Sequence, residues 1–162
     1  TIALMNMADQ EPELTINVVR RTTEDGGWEK IDRVIANGIS IKMANAELAF
    51  LVWMADRTKD NLPGLRTPTE GEANKEYGKA FLESYELVNS DISDKVSDAL
   101  KRGMDKAYFD NRKTQLNSVL KKSLGKRCAH NFEIQAIGKV TEGGTAKLFG
   151  LNIKAENITL VY

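Results

Sequence analysis

The sequence is short of most features that announce a function by themselves. One cysteine in 162 residues excludes a disulfide scaffold and points to a reducing compartment. One histidine, His130, leaves no set of nitrogen and sulfur ligands for a structural zinc, which needs four. No apolar run approaches the roughly 18 residues of a membrane span. The start lacks the basic residues and apolar block of a secretory signal. These absences give the expectation of a cytoplasmic protein with no membrane contact. Neither charge sign is in excess, with 23 basic and 23 acidic side chains. At 41% hydrophobic and 28% charged residues the chain is too apolar and too balanced for disorder, and its length suits one domain.

The neutral total conceals a division. Residues 1–100 hold 11 basic and 18 acidic side chains, a net of −7, and residues 101–162 hold 12 and 5, a net of +7. Most of the positive charge lies in residues 101–127, opposed there only by Asp105 and Asp110. Such asymmetry suits an anionic partner or an acidic protein surface, although a solvated helix face explains a charge run about as well.

Apolar periodicity divides the chain into elements. Residues 14–20 are rich in β-branched side chains and read as a strand. Trp28, Ile31, Val34 and Ile35 have the spacing of a short helix. Asn37-Gly38 is a turn, and Ile39, Ile41 and Met43 alternate as a strand after it. Asn45 is placed to cap a helix that is apolar nearly all round from Leu48 to Ala55, and therefore buried. Residues 60–71 collect the turn formers and read as a loop. Residues 72–89 form a second helix with a stripe of Tyr77, Phe81, Leu82, Tyr85 and Val88. Another helix begins at Ser90 or Asp91 and turns Ile92, Val96, Ala99 and Leu100 inward. The stretch 104–124 is amphipathic and basic, and Gly125 closes it. Residues 132–137 and 146–151 are strands joined by a glycine turn at 141–145, followed by one helical turn at 155–157 and a strand at 158–161.

This order predicts an α+β fold of winged helix-turn-helix type. Helices pack on a small antiparallel sheet, and a C-terminal β-hairpin serves as the wing. Residues 1–35 are expected as an N-terminal strand and helix extension, and residues 36–162 as the winged-helix-like domain, with an inserted loop around 60–71. In such a layout the basic helix lies in a groove of nucleic acid and the hairpin reaches the backbone. The candidate contacts are Arg112, Lys113, Gln115, Asn117, Lys121, Lys122, Lys126 and Arg127, with Lys139 and Lys147 flanking the wing. Tyr108, beside the basic run, is a candidate for stacking on a base or bonding a phosphate. DNA or RNA would bind through residues 106–127 and the 139–147 wing. A homodimer, formed through apolar helix faces or by acidic first part against basic second part, is the competing expectation.

Two segments carry a family resemblance. Residues 39–51 resemble the strand and first helix of winged-helix effector domains. Residues 111–125, with Phe132-Glu-Ile-Gln-Ala-Ile-Gly and Phe149-Gly-Leu-Asn-Ile, resemble a recognition helix and wing. Together, over residues 36–160, the pattern resembles the C-terminal winged-helix region of CRISPR-associated proteins that join it to an N-terminal CARF domain. The resemblance implies a part in type III antiviral defence, with cyclic oligoadenylate bound through an associated CARF domain for which residues 1–35 would be the linker. Relatives of that kind can be ring nucleases through the CARF domain. Its messenger-binding residues have no counterpart here. A stand-alone winged-helix transcriptional regulator is the alternative.

No catalytic constellation is visible. Cys128 and His130, two apart, would share a face on a strand, but lack an orienting third group. Arg127 stands too close to His130 for the arginine–histidine motif of CRISPR ribonucleases. Glu70 with Glu72, and Asp91 with Asp94, suit helix starts better than acid–base work. Gly143-Gly144 lacks the lysine and flanking elements of a phosphate loop. No cofactor or metal is expected.

Overall fold

Asn37 and Gly38 set the first feature of the architecture, because both have positive φ (45° and 83°). That is the conformation of the two-residue hairpin turn whose twist matches its strands. A computed structural model describes residues 9–139 and 146–162 of the chain. The turn joins β2 (Val34–Ala36) to β3 (Ile39–Ile41), and β2 also pairs antiparallel with β1 (Leu14–Asn17). On its other side β1 pairs in parallel with the last strand, β7 (Ile158–Val161). The sheet order is β3-β2-β1-β7. Alternate residues Leu14, Ile16, Val34, Ala36 and Ile41 are buried on one face, as period-two patterning requires.

The helix expected over residues 28–35 is not formed. Thr22 and Trp28 make an isolated bridge, and Val34 enters β2. Trp28 is 45% exposed. The spacing of 28, 31, 34 and 35 does match a helix. Pairing with β1 and β3 buries Val34 and Ala36 completely, and that tertiary gain outweighs the local pattern.

The second layer is helical. The first helix, α1 (Asn45–Lys59), is buried on all sides from Glu47 to Ala55. Phe50 is its hub, with ring centroids 5.5 Å from Trp53, 6.1 Å from Phe81 and 5.5 Å from Phe109. Asn45 does not cap it. The helix already includes Asn45, the cap is Ala44, and no side chain bonds the first turn. The expected loop at 60–71 contains a two-residue strand, β4 (Leu65–Arg66), whose Leu65 is buried opposite Phe149.

Side-chain caps place the next three helix starts. Asn74 Oδ1 accepts from Tyr77 N at the head of α2 (Lys75–Val88), so that helix begins later than residue 72. Ser93 Oγ accepts from Val96 N at the head of α3 (Asp94–Arg102), later than Ser90. Asp105 Oδ1 accepts from Tyr108 N at the head of α4 (Lys106–Ala129). Leu100 of α3 is buried, but Val96 and Ala99, expected inward, are exposed at a groove floored by Tyr85 and Tyr108. At Gly125 (φ 77°) α4 leaves helical geometry, and a further turn carries the chain to Ala129. Cys128 and His130 therefore lie around a helical turn, not along a strand, with Cys128 buried and His130 exposed.

The second sheet runs β4-β6-β5, where β5 is Ile134–Lys139 and β6 is Lys147–Leu151. It is antiparallel throughout, with a register shift between Ala136 and Gly138. A helical turn at Ala155–Asn157 leads into β7. The expected glycine turn at 141–145 lies outside the described residues, as do residues 1–4, which the sequence leaves open between a short strand and a frayed tail. The fold is thus α+β, as expected.

Gly78 is where α2 meets α3. A Cβ there would stand 2.1 Å from the Leu100 carbonyl oxygen and 3.0 Å from Gly103 Cα, both backbone. Gly78→Ala is expected to push the two helices apart and lower stability by about 2 kcal/mol, as overpacking does. A drop in the urea midpoint with an unchanged slope checks it.

Candidate nucleic-acid interface

One face of α4 belongs to the core. Phe109, Leu116, Leu120 and Leu124 recur at spacings of seven, four and four residues and are all buried. The flanks of that stripe hold polar side chains engaged with the rest of the fold. Arg112 Nη1 donates to Glu47 Oε1 at 2.8 Å, with side chains only 21% and 9% exposed. The Arg112 guanidinium also lies 5.6 Å from the Tyr108 ring centroid, and its Nε is buried without a hydrogen-bond partner. Lys113 Nζ stands 3.7 Å from the centroid of Phe149 on β6 and 3.7 Å from Asp110 Oδ1. Asn117 clamps β5: its amide donates to Ile134 O at 3.0 Å and accepts from Ile134 N at 2.8 Å. These residues hold α4 against α1 and the second sheet.

The opposite face is Ala107, Asn111, Thr114, Gln115, Ser118, Lys121 and Lys122, all exposed except the half-buried Ser118. The spacing i, i+3, i+4, i+7 and i+8 places them on one helical surface. It carries no carboxylate. Asp110 lies to one side and is shared by Lys106 and Lys113, each at 3.7 Å. Beyond the break at Gly125, Lys126 and Arg127 continue the exposed basic run. Arg127 meets Asp9 at 3.0 Å, but both side chains are more than half exposed, so the pair is worth little. Lys121, Lys122, Lys126 and Lys147 form no ion pair among the described residues. The β5–β6 register sets Lys139 directly opposite Lys147.

Of the residues read from sequence, Gln115, Lys121 and Lys122 lie on the open side of α4, and Lys126 and Arg127 are exposed beyond its break at Gly125. The structure engages Arg112, Lys113 and Asn117 within the fold. Tyr108 is half-buried, with its ring 5.8 Å from that of Phe81, and burial pushes its phenol pKa up. Sequence reasoning passed over Asn111, Thr114 and Ser118. Their signal was the uncharged hydrogen-bonding stripe at helical spacing, which a count of basic residues does not register. Among the described residues no three or more His, Cys, Asp or Glu side chains gather as a metal site, and no helix is long and apolar enough to cross a membrane. Glu70 and Glu72 lie exposed ahead of α2, not within its first turn. Compared with protein-family models, curated proteins and solved structures, the chain matches none.

Proposed function

We propose that this chain is a winged helix that binds duplex nucleic acid, with α4 in a groove and the β5–β6 hairpin against the backbone. The observation that carries the reading is the face of α4 that bears no carboxylate, polar from Asn111 to Ser118 and basic at Lys121 and Lys122, with Lys126 and Arg127 exposed beyond the break at Gly125. The wiring supports it. A helix, a short strand, further helices and a hairpin follow in order, and the short strand β4 joins the outer side of β6. In a winged helix the same wiring sets the hairpin beside the helix that enters the groove.

The expected binding is electrostatic in large part. Lys121, Lys122, Lys126, Arg127, Lys139 and Lys147 would neutralise about four to six phosphates, fewer than the full basic count, because Arg112 and Lys113 are engaged within the fold. Affinity for a duplex is therefore expected to fall roughly 10²- to 10³-fold between 50 and 200 mM salt. Fluorescence anisotropy across that range is the test, and absence of binding at low salt would overturn the reading.

A dimerisation module is the second reading, and a different surface favours it. Trp28, Ile31, Leu87 and Val161 are exposed large apolar side chains around Val19, at the margin of the first sheet. A monomer seldom leaves such residues grouped and open. A strict monomer by light scattering at high concentration would remove it. A role in type III CRISPR defence rests on the resemblance of residues 36–160 alone, with a transcriptional regulator as its alternative. Calorimetry of the chain with cyclic tetra- and hexa-adenylate tests for messenger binding.

A further inference from the structure

We infer that α4 reads the major groove of duplex DNA and that the amides of Asn111 and Gln115 select adenine there. The inference rests on the proposed nucleic-acid binding and goes beyond it to the bases recognised. Base readout depends on which side chains a helix offers at the centre of its open face. Guanine is most often read by arginine or lysine across O6 and N7, and adenine by asparagine or glutamine across N6 and N7. The centre of the open face has no cation. Arg112 is bound to Glu47 and Lys113 lies over Phe149, while the first free cation on this face is Lys121. The groups offered are two amides, Asn111 and Gln115, and two hydroxyls, Thr114 and Ser118.

The third amide of α4 makes the contrast. Asn117 spends both ends on Ile134. Asn111 and Gln115 are exposed, and their side chains make no hydrogen bond among the described residues. Their neighbours Ala107 and Ser118 are small, so the helix surface can approach base edges closely. Four residues rise about 6 Å along the helix. With base pairs about 3.4 Å apart, two adenines roughly two steps apart would be read together. The polymer follows from the same geometry. The B-DNA major groove admits a helix, whereas that of an RNA duplex is too deep and narrow for side chains to read. The lysines from 121 onward then hold phosphates and carry no sequence information.

The test begins with selection of binding sites from a random DNA duplex library by the wild-type chain. Enrichment of adenines about two base pairs apart is expected. Gln115→Ala and Asn111→Ala are each expected to reduce discrimination between selected and scrambled duplex by about ten- to a hundredfold. Their salt slope should stay that of the wild type. Lys121→Ala should do the reverse, lowering the salt slope by about one and leaving discrimination intact. Gln115→Arg is expected to move the preference at its position from adenine to guanine. All three positions are exposed, and circular dichroism verifies that each of the four variants folds. Binding to duplex DNA without adenine preference, unchanged discrimination in both alanine variants, or equal affinity for duplex RNA of the same sequence would overturn the inference and leave the nucleic-acid reading standing. Absence of binding to any duplex at low salt would overturn that reading first.

Discussion

Phe109→Ala is expected to destabilise this protein by about 3–5 kcal/mol, the range of an aromatic truncated in a closed core. The side chain has no exposed surface. Its ring centroid lies 5.5 Å from Phe50, 6.4 Å from Trp53 and 6.1 Å from Tyr77, so it is the fully buried contribution of α4 to an aromatic cluster drawn from α1, α2 and α4. The neighbours are large, rigid rings on three helices, which limits how far the site can collapse around the lost volume. Domains have about 5–15 kcal/mol of stability in all. A melting point lower by roughly 6–20 °C is the expected reading. A loss below about 1 kcal/mol would show that α4 is positioned from elsewhere. Tyr108 is the internal control. It is adjacent in sequence but half-buried, and Tyr108→Phe keeps its ring against Phe81 and Arg112. That variant should lie within about 1 kcal/mol of the wild type.

The helical core was the most legible part of the chain, because its signal is redundant. Leu48 to Ala55 is apolar at every angle around the helix, which is the mark of a buried helix. Phe81, Leu82 and Val88 repeat at helical spacing, and all three are buried. The hairpin strands β5 and β6 and the closing strand β7 were equally plain. Illegibility came where two local signals competed or where a partner was distant. Residues 28–35 have helical spacing, but β2 gains its stability from strands that lie on either side of it in space. Leu65 carries no strand pattern of its own in a two-residue element. Its place is fixed by Phe149, far along the chain.

The candidate site divided for the same reason. Charge marks residues that are able to meet an anion, and angle around the helix decides which of them face outward. Lys121 and Lys122 satisfy both tests. Arg112, three residues from Phe109 and four from Leu116, stands at the edge of the buried stripe, within reach of α1. Its partner, Glu47, lies 65 positions earlier and appears in sequence as an ordinary acidic residue of a helix first turn. No local pattern announces that pair. The −7 and +7 division of the chain is thus partly internal. Glu47 takes Arg112, and Asp9 meets Arg127, while the lysines of the open face keep their charge.

The Glu47–Arg112 pair gives the sharpest separation between a structural cation and a ligand contact. Arg112→Ala is expected to cost about 3–5 kcal/mol, because it leaves Glu47 buried without its partner. Most of that cost is the penalty of the uncompensated carboxylate. Replacing both groups by apolar side chains of similar volume should recover it. The variant combining Glu47→Leu with Arg112→Met is expected to be as stable as the wild type or more so. The Arg112 Nε, buried without a partner, strengthens that expectation, since the double variant removes its desolvation cost as well. Denaturant titration of the two singles and the double closes the thermodynamic cycle. The same proteins then report on function. If Arg112 belongs to the core, the double variant binds duplex DNA with unchanged affinity and salt slope. If Arg112 instead reaches a phosphate, the slope falls by about one and affinity falls uniformly across sequences. The geometry requires the first outcome. A guanidinium held at 2.8 Å by a carboxylate 9% exposed cannot turn to the duplex without leaving that carboxylate buried alone, and one phosphate contact does not offset this cost.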